Sequence, residues 1–177
     1  SNRGHRAYGL LLQTVERTRI INNEIAGNTM GLFTENGHAN VVEGNRIAGN
    51  YIGVHVSDSS DANVFVGNAF VGNVHAVETS GRNHSNQWSR EGRGNYWDTA
   101  ARSDLDRNGI ADLVHRELDL FGDLRRPLPA IGLLSGSPGE RLLRFVHARI
   151  GLPGLSGVID DAPLVSAEAA VSARRHP

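Results

Sequence analysis

The residues best suited to chemistry in this chain are carboxylates and imidazoles. Asp104-Leu-Asp-Arg-Asn-Gly-Ile-Ala-Asp112 sets Asp104, Asp106, Asn108 and Asp112 at positions 1, 3, 5 and 9 of a loop with Gly109 at position 6. That is the front half of a calcium-binding loop, in which oxygen ligands at alternate positions wrap a hard cation. Position 12 is His115 and not the bidentate Glu of a full loop. The competing use of the same residues is an Asx-rich turn held by its own side-chain to backbone hydrogen bonds. The chain has eight His, one Met and no Cys, so disulfides, thiolate nucleophiles and thiolate metal sites are excluded. Any soft or borderline metal must then be met by imidazole or thioether. Acid/base chemistry would need paired carboxylates on one face. Glu35, Glu43, Asp58, Asp61 and Glu78 are scattered over different turns and strands, and no pair recurs on neighbouring units.

These side chains must be positioned by a repeat. Thr18-Arg-Ile-Ile-Asn-Asn-Glu-Ile-Ala-Gly-Asn28, Asn40-Val-Val-Glu-Gly-Asn-Arg-Ile-Ala-Gly-Asn50 and Asn63-Val-Phe-Val-Gly-Asn-Ala-Phe-Val-Gly-Asn73 align without a gap, at offsets of 22 and 23 residues. Asn23, Asn45 and Asn68 fall in one column, Asn28, Asn50 and Asn73 in another, and Ile25, Ile47 and Phe70 in an apolar column between them. A further column reads Leu10, Leu32, Val54 and Val77. Short alternating strands separated by Gly and Asn, at this period, predict an all-β solenoid, a right-handed parallel β-helix with one coil per row. Coils ~4.8 Å apart stack identical side chains, so Asn amides can donate and accept along the axis. A leucine-rich repeat shares the period, but its L-x-x-L-x-L frame is absent.

The remaining composition narrows the function. All 18 basic residues are Arg, they form no block, and the net charge is -1, which gives no reason to expect nucleic acid. No apolar run is long enough to span a membrane, and a signal peptide is not expected in the opening Ser1-Asn-Arg-Gly-His-Arg6, which has no apolar stretch. Tyr8-Gly-Leu-Leu-Leu12 already matches the later rows, so the chain is expected to begin mid-stack.

Four segments are expected: coils over 1–97, an Asp-rich capping loop over 98–115, a helical and Pro-rich appendage over 116–165, and a flexible tail over 166–177. In the fourth coil Trp88, Tyr96 and Trp97 replace aliphatic residues and should plug the open apolar end. Glu140 to Ile150 reads as an amphipathic helix, with Leu142, Phe145, Val146 and Ile150 as its candidate partner-binding face.

The rows ending in Gly94-Asn-Tyr-Trp97, the loop Asp104-x-Asp-x-Asn-Gly-Ile-x-Asp112, and the Pro-broken tail with Asp161-Ala-Pro-Leu164 resemble the C-terminal part of the NosD family. The usual family wording is close to G-N-Y-W-S-D-Y…D-x-D-G-D-G-I-G-D-x-P-Y. Here Asp98-Thr99 replaces Ser-Asp, Arg107-Asn108 replaces Gly-Asp, and Val114-His115 stands where Pro-Tyr is usual. The resemblance implies a periplasmic accessory protein and not an enzyme. It would work with an ABC transporter at the inner membrane, and with nitrous oxide reductase or a copper chaperone, in copper-site assembly. It also implies that the helical segment reaches the permease, and it carries no catalytic residue. Transient copper would find candidate ligands in His38, Asp61 and His84, which share one turn column, with the two His about two coils, or ~10 Å, apart. His55 lies in an outward column with Phe33 and Glu78, and His75 in another with Met30 and Ile52; all are expected to be solvated. The alternative is a polysaccharide-active or carbohydrate-binding β-helix protein, since fold alone does not decide function.

Overall fold

The computed structural model describes residues 7–80, 85–118, 137–139, 142 and 157–171 of the 177. Strands β1 (Tyr8–Gln13), β2 (Arg19–Ile21) and β3 (Glu24–Ala26) make one coil, and β4 (Met30–Glu35), β5 (Val41–Glu43) and β6 (Arg46–Ala48) the next. A third follows with β7 (Ile52–Val56), β8 (Val64–Val66) and β9 (Ala69–Val71), and β10 (His75–Thr79) opens a fourth. The last coil is completed by β11 (Tyr96–Trp97), while β12 (His115–Leu118) and β13 (Gly157–Asp160) pair with each other. Equivalent strands stack into three parallel sheets, ordered β1-β4-β7-β10, β2-β5-β8 and β3-β6-β9-β11. Tyr8 faces Met30, Met30 faces Ile52 and Ile52 faces His75, which is the register the repeats predict.

The corners explain the punctuation of the rows. Asn22, Gly44 and Gly67 stack as one left-handed corner, with φ of 55, 67 and 63°. A Cβ on Gly44 would stand 2.4 Å from Asn22 Oδ1, so a crowded column admits glycine where the preceding coil leans in. The Asn after each corner turns inward and builds a ladder. Asn23 N–H donates to Asn45 Oδ1 at 2.9 Å, Asn45 N–H to Asn68 Oδ1 at 3.0 Å, and Asn68 N–H to Asn95 Oδ1 at 3.0 Å. Each inner Nδ2 also donates up the same column and back to a carbonyl, as Asn68 does to Asn95 Oδ1 and Val42 O. Asn40, Asn63 and Asn86 form a second such column, and Asn28, Asn50 and Asn73 a third. Asn fits because one short side chain carries both an acceptor and a donor, and buried polar groups must be paired.

Inside the ladders the apolar columns widen toward one end. Ile20, Val42, Phe65 and Trp88 form one, and Ile25, Ile47, Phe70 and Trp97 the other, all buried. Phe65 stacks on Trp88 at 4.2 Å, Phe70 on Trp97 at 4.3 Å, and Trp97 on His115 at 4.6 Å between ring centroids. The two Trp of the expected aromatic plug fill the interior and His115 stacks on Trp97, whereas Tyr96 packs in a separate cluster with Leu164 and Ala170.

The plug is locked by chain that returns from far away. Asp160 is fully buried, and its carboxylate accepts Asn95 N–H at 2.6 Å, Trp97 Nε1–H at 2.8 Å and Ala162 N–H at 3.1 Å. It takes the place of the next Asn, ending the ladder as an acceptor that need donate nothing. Burial pushes its pKa above the ordinary 3.8, opposed by those N–H donors. Gly94 is required beneath it, because a Cβ there would lie 1.8 Å from Asp160 Oδ1.

The appendage has its two ends, His115–Leu118 and Gly157–Asp160, paired as antiparallel strands, while most of the helix expected at 140–150 lies outside the described residues. The tail expected to fray from Ser166 instead opens with a helix, α1 (Ala167–Val171), whose Ala170 is buried. Arg93 holds that helix through Nη2 to Ala169 O at 2.6 Å. Local sequence hid both, because a four-residue strand and a five-residue helix are stabilised by the surface they cover and not by their own propensity.

Candidate functional site

The acidic loop is a folded turn in which the carboxylates bind the loop's own backbone. Asp104 Oδ1 accepts Asn108 N–H at 3.1 Å and its Oδ2 accepts Gly109 N–H at 3.0 Å. Asp106 Oδ2 accepts Asn108 Nδ2 at 2.8 Å, and Asp112 Oδ2 accepts Ser103 Oγ–H and Leu105 N–H, each at 3.0 Å. The four sequence candidates are thus close in space, with their oxygens turned onto N–H and O–H donors. The outer edge of the loop grips the return segment: Ala111 N–H donates to Pro163 O at 2.7 Å and Val165 N–H to Gly109 O at 3.2 Å.

The turn column predicted for imidazoles is present in part. Glu16, His38 and Asp61 bridge one another in successive coils, and His38 Nδ1 is hydrogen-bonded to Asp61 Oδ1. The other ring nitrogen, Nε2, faces Asn36 Oδ1 at 3.1 Å. Both ring nitrogens thus lie against side-chain oxygens of the turn column. His84 lies outside the described residues. So do Phe145, Val146 and Ile150 of the expected partner-binding face, whereas Leu142 is described and is 62% exposed.

The columns of His55 and His75 depart from expectation. Their registers are as predicted, Phe33 to His55 to Glu78 and Met30 to Ile52 to His75. Their environment is not solvent: Glu78 is 5% exposed and His75 1%. His55 Nδ1 stands 3.8 Å from Glu78 Oε2 and His75 Nε2 stands 4.0 Å from Glu78 Oε1. The Tyr51 ring meets His75 edge-on at 5.0 Å between centroids, a contact that the repeat read along one strand does not signal. Among the described residues no group of three or more His, Asp or Glu side chains is drawn closely enough around one point to hold an ion as it stands. No helix there is long and apolar enough to cross a membrane.

Residues 1–101 match the family described as periplasmic copper-binding protein (NosD). A protein of Pseudomonas aeruginosa named probable ABC transporter binding protein NosD is 31% identical over 177 residues, covering 92% of this chain and 41% of that relative. Its namesake in Stutzerimonas stutzeri is 29% identical over 178 residues, covering 89% of this chain and 39% of the relative. The chain thus spans about two fifths of the length of the curated relatives it matches.

Proposed function

We propose, from the premise that the chain belongs to the NosD family, that it is part of a periplasmic accessory scaffold and not a catalyst. In this reading it works with an ABC transporter at the inner membrane in assembling the copper site of nitrous oxide reductase. The observation that carries the reading is the family match over most of the β-helix, together with relatives named as probable ABC transporter binding proteins. The architecture supports a scaffold: the interior is filled by stacked aromatics and closed by Asp160, which leaves the outer faces as the working surface. Copper passes as cargo, on the outer surface, and the segment carrying Leu142, Phe145, Val146 and Ile150 makes the contact with the permease.

The test is capture of the detergent-solubilised transporter by the full-length protein, with and without residues 140–150. The expected result is association by the intact protein and its loss on deletion, with the β-helix still folded by circular dichroism. Undiminished association would move the contact to the coils. No association by the intact protein would overturn the transporter reading and favour a polysaccharide-directed β-helix.

A further inference from the structure

We propose that the outer face of the cap is a docking surface for a basic, apolar segment of a partner protein, with Leu105 and Leu113 at its centre. The inference goes beyond the transporter reading and does not depend on it.

The surface is built from the acidic loop and the hairpin beside it. Leu105 N–H donates to Asp112 Oδ2 at 3.0 Å and Asp112 N–H donates to Ser103 O at 2.7 Å, so the two limbs of the loop run side by side at its neck. Leu105 and Leu113 flank that neck, 86% and 58% exposed. Beyond Leu113 the chain enters β12, where His115 turns inward onto Trp97. Alternation then turns Val114 and Arg116 outward, and the register sets Arg116 opposite Ile159. Val114 and Ile159 are diagonal neighbours on that outward face, each 47% exposed. Single exposed apolar residues need no explanation, whereas a group of them rimmed by charge marks an interaction surface.

The rim decides what kind of partner fits. Asp104, Asp106 and Asp112 stand around the two leucines, with Arg107 as the cation of the same loop. None of these three carboxylates forms an ion pair with a described residue. Their oxygens accept neutral N–H and O–H groups, which hold the charge in place without cancelling it. Arg102, the nearest cation before the loop, is turned back onto Tyr96, its Nη2–H donating to the Tyr96 hydroxyl at 2.7 Å. An apolar centre inside a fixed negative rim matches a segment that carries Leu or Phe on one face and Arg or Lys beside it. The same rim opposes anionic lipid headgroups. Because the loop is already folded onto its own carboxylates, docking does not have to order it, and that lowers the cost of binding on a small surface. Leu142, the described residue of the chain's own basic, apolar stretch, is itself 62% exposed, so its side chain does not cover this face.

The test uses the full-length protein and labelled synthetic peptides of helical pattern, followed by fluorescence anisotropy. One peptide is made of Leu and Lys, a second of Leu and Glu, and a third of Ser and Lys. Binding is expected for the Leu and Lys peptide alone. Leu105→Ser combined with Leu113→Ser should weaken it by about tenfold or more. Asp106→Asn should weaken it by about threefold at low salt, a difference that fades as salt is added. Leu11→Ser, an exposed leucine on β1, should leave it unchanged. Thermal melts report whether each variant is folded, and should the double variant fail to fold, Asp106→Asn decides. Equal binding of the Leu and Glu peptide, or equal losses in the double variant and Leu11→Ser, would overturn the site. Tighter binding after deletion of residues 140–150 would show that the chain's own segment occupies the face and would overturn an outside partner. Self-association of the unaltered protein in sedimentation, abolished in the double variant, would overturn it in favour of a second copy.

Discussion

The coil stack and the cap that closes it solve one problem by opposite means. In residues 7–80 the ladder amides bond the equivalent residue one coil away, at separations of 22 or 23 until Asn68 reaches Asn95 at 27. In the cap the partners are 63 and 65 residues apart, and a single carboxylate replaces a ladder. Repetition spreads stability over many equal bonds, whereas the cap gathers it at one point. Substitutions at that point should therefore cost more than those in the stack.

The largest effect is expected at Asp160→Ala. It leaves Asn95 N–H, Trp97 Nε1–H and Ala162 N–H buried without an acceptor. At roughly 1–3 kcal/mol for each orphaned group, the loss should reach at least about 3 kcal/mol in chemical denaturation, with a red shift of tryptophan emission as Trp97 is uncovered. Gly94→Ala should cost a similar amount, since its Cβ would overlap the same carboxylate. The double variant should lose less than the two together, because each substitution removes the other's cause. Strict additivity would show that Asp160 and Gly94 act separately.

Next comes Asn68→Ala, in the middle of a ladder. Asn68 accepts from Asn45 and donates to Val42 O and Asn95, so about 2–3 kcal/mol is expected. Asn23→Ala, where the side chain is exposed and takes part chiefly as a donor, should cost about 1 kcal/mol or less. Equal losses at the two positions would break the picture of a ladder whose worth grows with burial.

How much of this the sequence disclosed follows the same division. Asn23, Asn45 and Asn68 could be aligned by eye, and their register is that of the structure. Asn95 is the fourth rung, but an offset of 27 residues hides it from the repeat. Asp160 sits in Gly157-Val-Ile-Asp, whose composition carries no strand signal strong enough to place it, and its role arises only from a contact across the fold. The acidic loop was visible as a cluster, while the direction its oxygens face was not. His75 and Glu78 fall in the columns the repeat predicts, yet they are buried and not solvated, which alternation along one strand does not signal.

A smaller effect, about 1 kcal/mol at neutral pH, is expected for Asp160→Asn. The amide keeps an acceptor for Asn95 and Trp97 but turns an NH2 against Ala162 N–H, while the buried charge is removed. The sign of the pH dependence separates the two terms. Burial holds the folded pKa of Asp160 above 3.8, so the folded state takes up this proton more readily than the unfolded one. The stabilisation it brings is complete below about 3.8 and fades as pH rises through the folded value. The melting temperature of the unaltered protein should therefore gain on Asp160→Asn as pH falls through that window. A gap that widens instead on raising the pH would mean that the charged form is the one the cap prefers.

The smallest effect tests the outer turns. His38 and Asp61 are a close pair, yet their side chains are 37% and 59% exposed. Exposed pairs gain little from attraction in high dielectric and lose side-chain entropy in forming. His38→Gln should change stability by less than about 0.5 kcal/mol, in denaturation measured beside Asn68→Ala. A loss comparable to that of the ladder would show that the turn bridge Glu16–His38–Asp61 holds the coils in register, and the contrast between a tolerant surface and a committed interior would fail.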